Sequence, residues 1–189
     1  MILSGAVSLS LGCARPATGA MASPDRSGAL NLFNPAWPWT DESGREVALE
    51  SYQGAPIVVA MIYTSCATLC PLTIERLREL DAAFARRGAS ASFVLVTLDP
   101  VHDDPPRLRR FKEARHLPTS WHLLRGDLPQ THAFARRLGL RASYDDEHIV
   151  HDVVIATFDT RGRLVHSYSG WDFADADAIS INRRAEDGR

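Results

Sequence analysis

The chain has 189 residues and a mass of 20.8 kDa, with 45% hydrophobic and 23% charged residues. That balance describes one globular domain with modest extensions, long enough to bury a core without staples. A formal charge of -2 and a pI near 6.4 argue against nucleic acid or an anionic membrane as the main partner, because both demand a basic surface.

Residues 1–22 (MILSGAVSLSLGCARPATGAMA) are small and apolar, with no charge before Arg15. They read as the hydrophobic part of an export leader that lacks a basic start. Cys13 follows Leu11-Gly12, as in the cleavage box of bacterial lipoproteins, although Ser10 stands where such boxes usually have leucine. Three outcomes stay open: a lipid anchor at Cys13, cleavage near Ala20, or an uncleaved tail. A single lipid would tether the protein to a membrane surface, and that is the only membrane contact expected. The compartment expected is the periplasm or the outer face of the cytoplasmic membrane, where disulfides persist. Residues 23–36 read as a polar connector, 37–172 as the domain, and 173–189 as a tail with one weak helix.

Within the domain, residues 37–50 hold two short extended pieces around Glu42-Ser43-Gly44, a hairpin signal. Ile57–Tyr63 is a continuous apolar run, as expected of a strand buried on both faces. From Pro71 to Arg87 the spacing predicts a helix, with Leu72, Leu77, Leu80, Ala83 and Phe84 on its inner face and Gly88 ending it. Ser92–Leu98 predicts a second buried strand. Asp103-Asp104-Pro105-Pro106 opens a helix running to His116, with Asp99 and the two aspartates expected to cap it. A short strand at Trp121–Leu124, a helix over Pro129–Leu138 closed by Gly139, a strand over Val150–Phe158, a turn at Asp159–Gly162 and a strand over Arg163–Tyr168 complete the order. Strand-helix-strand units give parallel pairs with right-handed crossovers, and the last hairpin adds antiparallel strands. The fold class expected is α/β: a thioredoxin-like mixed sheet flanked by helices, with an extra N-terminal hairpin.

Cys66-Ala67-Thr68-Leu69-Cys70-Pro71 stands where the first buried strand meets the first long helix. Open α/β sheets place their chemistry at such strand ends, and the unpaired N–H groups of a helix start favour a thiolate. Two cysteines four apart can close a disulfide or converge on a soft metal ion. A structural zinc wants four ligands and an iron–sulfur cluster usually four cysteines, whereas copper accepts two sulfurs and an imidazole. The plainer alternative is two core cysteines that happen to share this spacing.

Of seven histidines, His102, His116, His122, His132 and His166 read as surface or packed residues. His151 opens the β-rich run VVIATF, on a strand whose preceding loop faces the cysteine loop across the sheet end. On spacing, His151 is the first candidate for a third ligand, His148 the competitor, and neither remains open. Asp152 is placed either beside an imidazole that it orients or on the surface.

Tyr63-Thr64-Ser65-Cys66-Ala67-Thr68-Leu69-Cys70-Pro71 resembles the YTxCxxxCP signature of the Sco/SenC family. Val96-Thr97-Leu98-Asp99-Pro100 followed by Asp103-Asp104-Pro105 is similar to its VDPxxDTP segment. His151 with Asp159 and Gly162 is similar to its HSxxxYLxDPxG segment. Ser65, Ala67-Thr68 and Asp152 depart from the family's frequent His, Pro-Asp and Ser/Thr. The resemblance spans about residues 37–170. It implies a thioredoxin-like copper chaperone and thiol–disulfide protein that matures the CuA site of cytochrome c oxidase. Copper, as Cu(I) or Cu(II), would be held by Cys66, Cys70 and His151, and Cys66 and Cys70 would form the redox pair. The partners implied are apo cytochrome c oxidase subunit II, or another copper acceptor, and a thioredoxin-like reductant. Three rival readings remain: a metal-free thiol–disulfide reductase, a periplasmic copper sensor or buffer without delivery, and a peroxidase using Thr64 and an arginine.

Overall fold

The computed structural model describes residues 30–145 and 149–179. Cys13, the rest of the leader and His148 lie outside the described residues. The strands are β1 (Trp39–Asp41), β2 (Glu46–Val47), β3 (Ile57–Ile62), β4 (Ser92–Thr97), β5 (Trp121–Arg125), β6 (Ala142–Tyr144), β7 (Ile149–His151), β8 (Val154–Phe158) and β9 (Leu164–Ser169). The helices are α1 (Leu69–Arg86), α2 (Pro105–Ala114), α3 (Leu128–Leu138) and α4 (Asp175–Ile179), with a 3-10 turn at Leu49–Tyr52.

The main sheet has the order β2-β1-β5-β4-β3-β8-β9. β3, β4 and β5 run parallel, while β8 and β9 on one side and β1 on the other are antiparallel to their neighbours. This is the mixed sheet expected, with the β1–β2 hairpin docked on β5. Every residue of β3 is buried, because helices cover both faces of the strand. Val58, Ala60 and Ile62 face Ile74, Leu77, Leu80 and Phe84 of α1 and Leu108 of α2. Ile57, Val59 and Met61 face Phe134 and Leu138 of α3 together with Trp39 and Leu49. The strand's period of two thus divides one run of aliphatic residues between two cores.

Helix starts follow the proline and aspartate signals. Asp104 caps α2 by accepting from the Arg107 amide at 2.8 Å, and Asp127 caps α3 through the Gln130 amide at 2.7 Å. Gly139 closes α3 in the left-handed region at φ 78, which glycine reaches without a Cβ penalty. Three features depart from the sequence expectation. Leu72 is 52% exposed rather than on the buried face of α1. At 100° per residue it lies about 140° from Leu77, off the apolar stripe. Cys70, by contrast, shares the face of Leu77 and is fully buried. The run Val150–Phe158 is two strands, since strand pairing breaks at Asp152-Val153 and β7 pairs with β6 in a separate two-stranded ribbon. Leu30–Phe33, in the stretch expected to be a connector, pack on the β8–β9 turn: Leu32 is buried and its amide bonds to the Gly162 carbonyl at 2.7 Å.

The β1–β2 turn is held by Asp41, which accepts from the Ser43 amide and hydroxyl and from the amide and guanidinium of Arg45. Burial pushes its carboxyl up, but those bonds outweigh it and bring the pKa down to about 2. A depressed carboxylate stabilises the fold above its unfolded pKa of 3.8, and that contribution fades as pH falls towards 2. Asp41→Asn is therefore expected to lower stability by about 2 kcal/mol near neutral pH and by little near pH 2. Urea unfolding of both proteins at the two pH values checks it; an equal loss at both would refute the ionic origin.

Candidate metal centre

β3 ends at Ile62, and Tyr63–Thr68 carry the chain into α1. Cys66 lies in this loop and Cys70 in the first turn of the helix; both are buried free thiols. The Cys70 amide points at Cys66 Sγ (3.3 Å), and the Tyr63 amide at Cys70 Sγ (3.5 Å). The two sulfurs differ sharply in acidity. Burial alone would raise Cys66, but donors from the Cys70 amide and thiol and from the Thr68 and Leu69 amides outweigh it, so its pKa is lowered. For Cys70 burial dominates, the neighbouring Cys66 adds to it, and the pKa is driven far up. Cys66 is thus the more acidic thiol of the pair, the one that ionises first. Alkylation of the reduced protein by iodoacetamide should modify Cys66 at a pH below that of an ordinary thiol and leave Cys70 largely protected. Peptide mass spectrometry across a pH series reads this, and Cys70 reacting first would contradict it.

His151 ends β7 and is buried. Its Nδ1 lies 2.7 Å from the Asp152 carbonyl oxygen. A carbonyl can only accept, so Nδ1 carries the proton and Nε2 keeps its lone pair. Burial lowers the pKa of the ring against the opposing pull of Asp152, which favours the neutral form. Nε2 is buried with no hydrogen-bond partner among the described residues. The two sulfurs and one ring nitrogen of Cys66, Cys70 and His151 all lie within 4.8 Å of one another. A buried imidazole held in one tautomer beside a thiol pair is the donor set that a soft, low-coordinate metal ion wants.

The structure brings together the three residues that the sequence singled out. Asp152 orients the imidazole through its backbone carbonyl, while its carboxylate reaches outward to Arg141 at 2.7 Å. Among the described residues the other five histidines stand apart from this group: His102 pairs with Asp99, His122 lies against Tyr52, His132 against Tyr144 and His166 against Tyr168, and His116 follows α2 at φ 49. Asp99 and Asp103 do not cap α2. Asp99 accepts from the His102 amide and ring.

Asp103 is completely buried and clamps the cysteine loop to the main sheet. Its carboxylate accepts from the Thr64 amide (3.0 Å), the Thr64 hydroxyl and the Thr97 hydroxyl (2.5 Å). Arg107 Nε completes the cluster by donating to Thr64 Oγ1 at 2.7 Å, 3.5 Å from the carboxylate. Sequence reasoning missed this role because an Asp-Asp-Pro-Pro string reads as a helix start, and only the second aspartate serves as one.

A thioredoxin-like mixed sheet with two thiols and an imidazole converging at a strand end defines the class of domain. The SCO1/SenC family pattern matches residues 26–185, and the chain belongs to that family. A SCO1 protein homolog of Bacillus subtilis (strain 168) is 21% identical over 148 residues, covering 75% of this chain and 76% of the relative. Arabidopsis thaliana ScoI, solved with copper bound, superposes with a TM-score of 0.71 at 14% identity over 82% of this chain and 99% of the other. BsSco, described as a member of the Sco family of cytochrome c oxidase assembly proteins with a disulfide switch, superposes with a TM-score of 0.70 at 22% identity over 85% and 96%. At those identities the superpositions speak for the fold.

Proposed function

We propose that this protein is an extracytoplasmic copper chaperone. Cys66, Cys70 and His151 hold one copper ion as cargo and pass it to the CuA site of apo cytochrome c oxidase subunit II. The observation that carries this is a buried His151 imidazole with one ring nitrogen within 4.8 Å of both sulfurs and an Nε2 that has no hydrogen-bond partner among the described residues. Family membership supports it, as do the copper bound to ScoI and the assembly role ascribed to BsSco's family. Loading releases the protons of the bound thiols, and Cys70 gives its proton up least readily. Unloading is a ligand exchange, in which acceptor sulfurs replace chaperone sulfurs one at a time without a change in copper valence. Two-electron oxidation to a Cys66–Cys70 disulfide removes both sulfurs from the metal, so carriage depends on a thioredoxin-like reductant. Export and a tether at Cys13 belong to the same reading, and the working domain takes in Leu32 at one end and Ile179 at the other, both of which join its core.

One observation favours a second reading. A low-pKa thiol paired with a buried high-pKa thiol also suits a metal-free reductase: Cys66 attacks a partner's disulfide, Cys70 then displaces that mixed disulfide, and two electrons pass to the partner. Titration of the reduced protein with Cu(I) against a competing chelator, followed by mixing with an apo CuA domain, separates the two. Tight one-to-one binding and appearance of the CuA absorption bands support the chaperone. No binding, with ready cycling of the disulfide, leaves the reductase.

A further inference from the structure

His151 does not stand on the main sheet. It ends β7, whose one strand partner among the described residues is β6, with Ala142 opposite His151 and Tyr144 opposite Ile149. The two sulfurs belong to the other side of the site, the β3–α1 junction. The geometry of a three-ligand centre therefore depends on how the ribbon is fixed to that junction.

Tyr63 touches both sides. Its amide points at Cys70 Sγ at 3.5 Å. Its ring meets the His151 imidazole edge-on, with centroids 5.6 Å apart and planes at 72°. Its hydroxyl donates to the Ile149 carbonyl at 3.0 Å, two residues before His151 on the same strand. Its side chain packs against the clusters on both faces of the main sheet. Tyr63 immediately follows β3, so its position is set by a strand in which every residue is buried.

We propose that Tyr63 is a positioning residue for the copper centre, and that its hydroxyl latches the β6–β7 ribbon so that His151 Nε2 stays over the two sulfurs. This rests on the copper reading for its purpose and on the described contacts for its geometry. Phenylalanine at this position keeps the amide and the ring edge and removes only the latch. Without it, the imidazole must be brought back into place whenever copper binds, and the affinity falls by the fraction of time that it is out of place.

The test is Tyr63→Phe, made in the wild-type and His151→Ala backgrounds. Chelator competition should show Cu(I) binding weaker by about 3- to 10-fold in the wild-type background, the scale of one hydrogen bond. It should show no further loss where His151 is already alanine. Hydrogen exchange of the metal-free protein should show β6–β7 amides opening several-fold faster, with β3 and β4 amides unchanged. Unchanged exchange in the ribbon overturns the latch. So does an equal loss of affinity in both backgrounds, because the effect would then run through the sulfurs or the fold. Failure of the copper reading itself would show as absence of binding by wild type, and the exchange arm would still decide whether the hydroxyl holds the ribbon.

Discussion

His151→Ala is expected to weaken Cu(I) binding by at least about 100-fold while leaving the Cys66–Cys70 pair able to cycle. Loss of an outer partner of a metal ligand typically lowers affinity about 10–100-fold, and here a ligand itself would go. The alanine leaves two sulfurs and a small void, so the fold should survive. His151 lies at the end of a three-residue strand, and among the described residues its imidazole hydrogen-bonds to the adjacent carbonyl alone. Chelator competition gives the affinity, and reaction of the disulfide with a dithiol gives the redox half of the function. Wild-type affinity in the variant would remove His151 from the centre. Loss of copper together with loss of thiol cycling would show that the substitution had damaged the cysteine loop instead. Retained cycling and oxidase assembly in cells, despite lost copper, would favour the reductase reading.

Asp103→Ala should destabilise the protein strongly while leaving Cys66, Cys70 and His151 themselves untouched. It strips the acceptor from the Thr64 amide and from two threonine hydroxyls in a site with no solvent access to the carboxylate, and leaves Arg107 without its counter-ion. Unsatisfied buried donors cost about 1–3 kcal/mol each, with partial relief where the loop can relax. A net loss of about 3 kcal/mol would lower the melting temperature by roughly 6–12 °C for a chain of this size. Asp103→Asn keeps the volume and one oxygen acceptor and should fall between the two. The local consequence is a looser Thr64–Leu69 segment, seen as faster alkylation of Cys66 at temperatures where the protein is still folded. A melting point within about 1 °C of wild type would show that Asp103 does not clamp the loop.

Much of this was legible in the residues themselves. The run IVVAMI announces a strand covered on both faces, and proline after Cys70 announces a helix beginning at the cysteine pair. Those two features alone place the thiols at the end of a parallel strand. His151 needed the family resemblance, because spacing left His148 and no ligand at all as alternatives. The ribbon was not legible: apart from Asp152 the run Val150–Phe158 is β-forming throughout, and nothing local to it says that the part before the break pairs with Ala142–Tyr144. A strand's partner is a long-range fact that local propensity does not carry. The roles of Asp103 and Tyr63 were hidden for the same reason. Both act on residues far along the chain, Asp103 on Thr64 and Tyr63 on Ile149.

The docking of β1 on β5 has a consequence for how this protein behaves among other unfolded or partly assembled chains. β5 reads Trp121-His122-Leu123-Leu124-Arg125, and it pairs with β4 on one side and with Thr40 and Asp41 on the other. Without residues 39–47 its outer N–H and C=O groups would stand open beside an apolar strand, a template for strand addition by a second chain. The hairpin closes that margin with only three residues and then with a two-residue strand bearing Glu46, too short and too charged to recruit another. A truncation that begins after Gly54 would keep Cys66, Cys70 and His151 and still be prone to self-association, so the N-terminal hairpin guards the solubility of a domain whose thiols lie elsewhere.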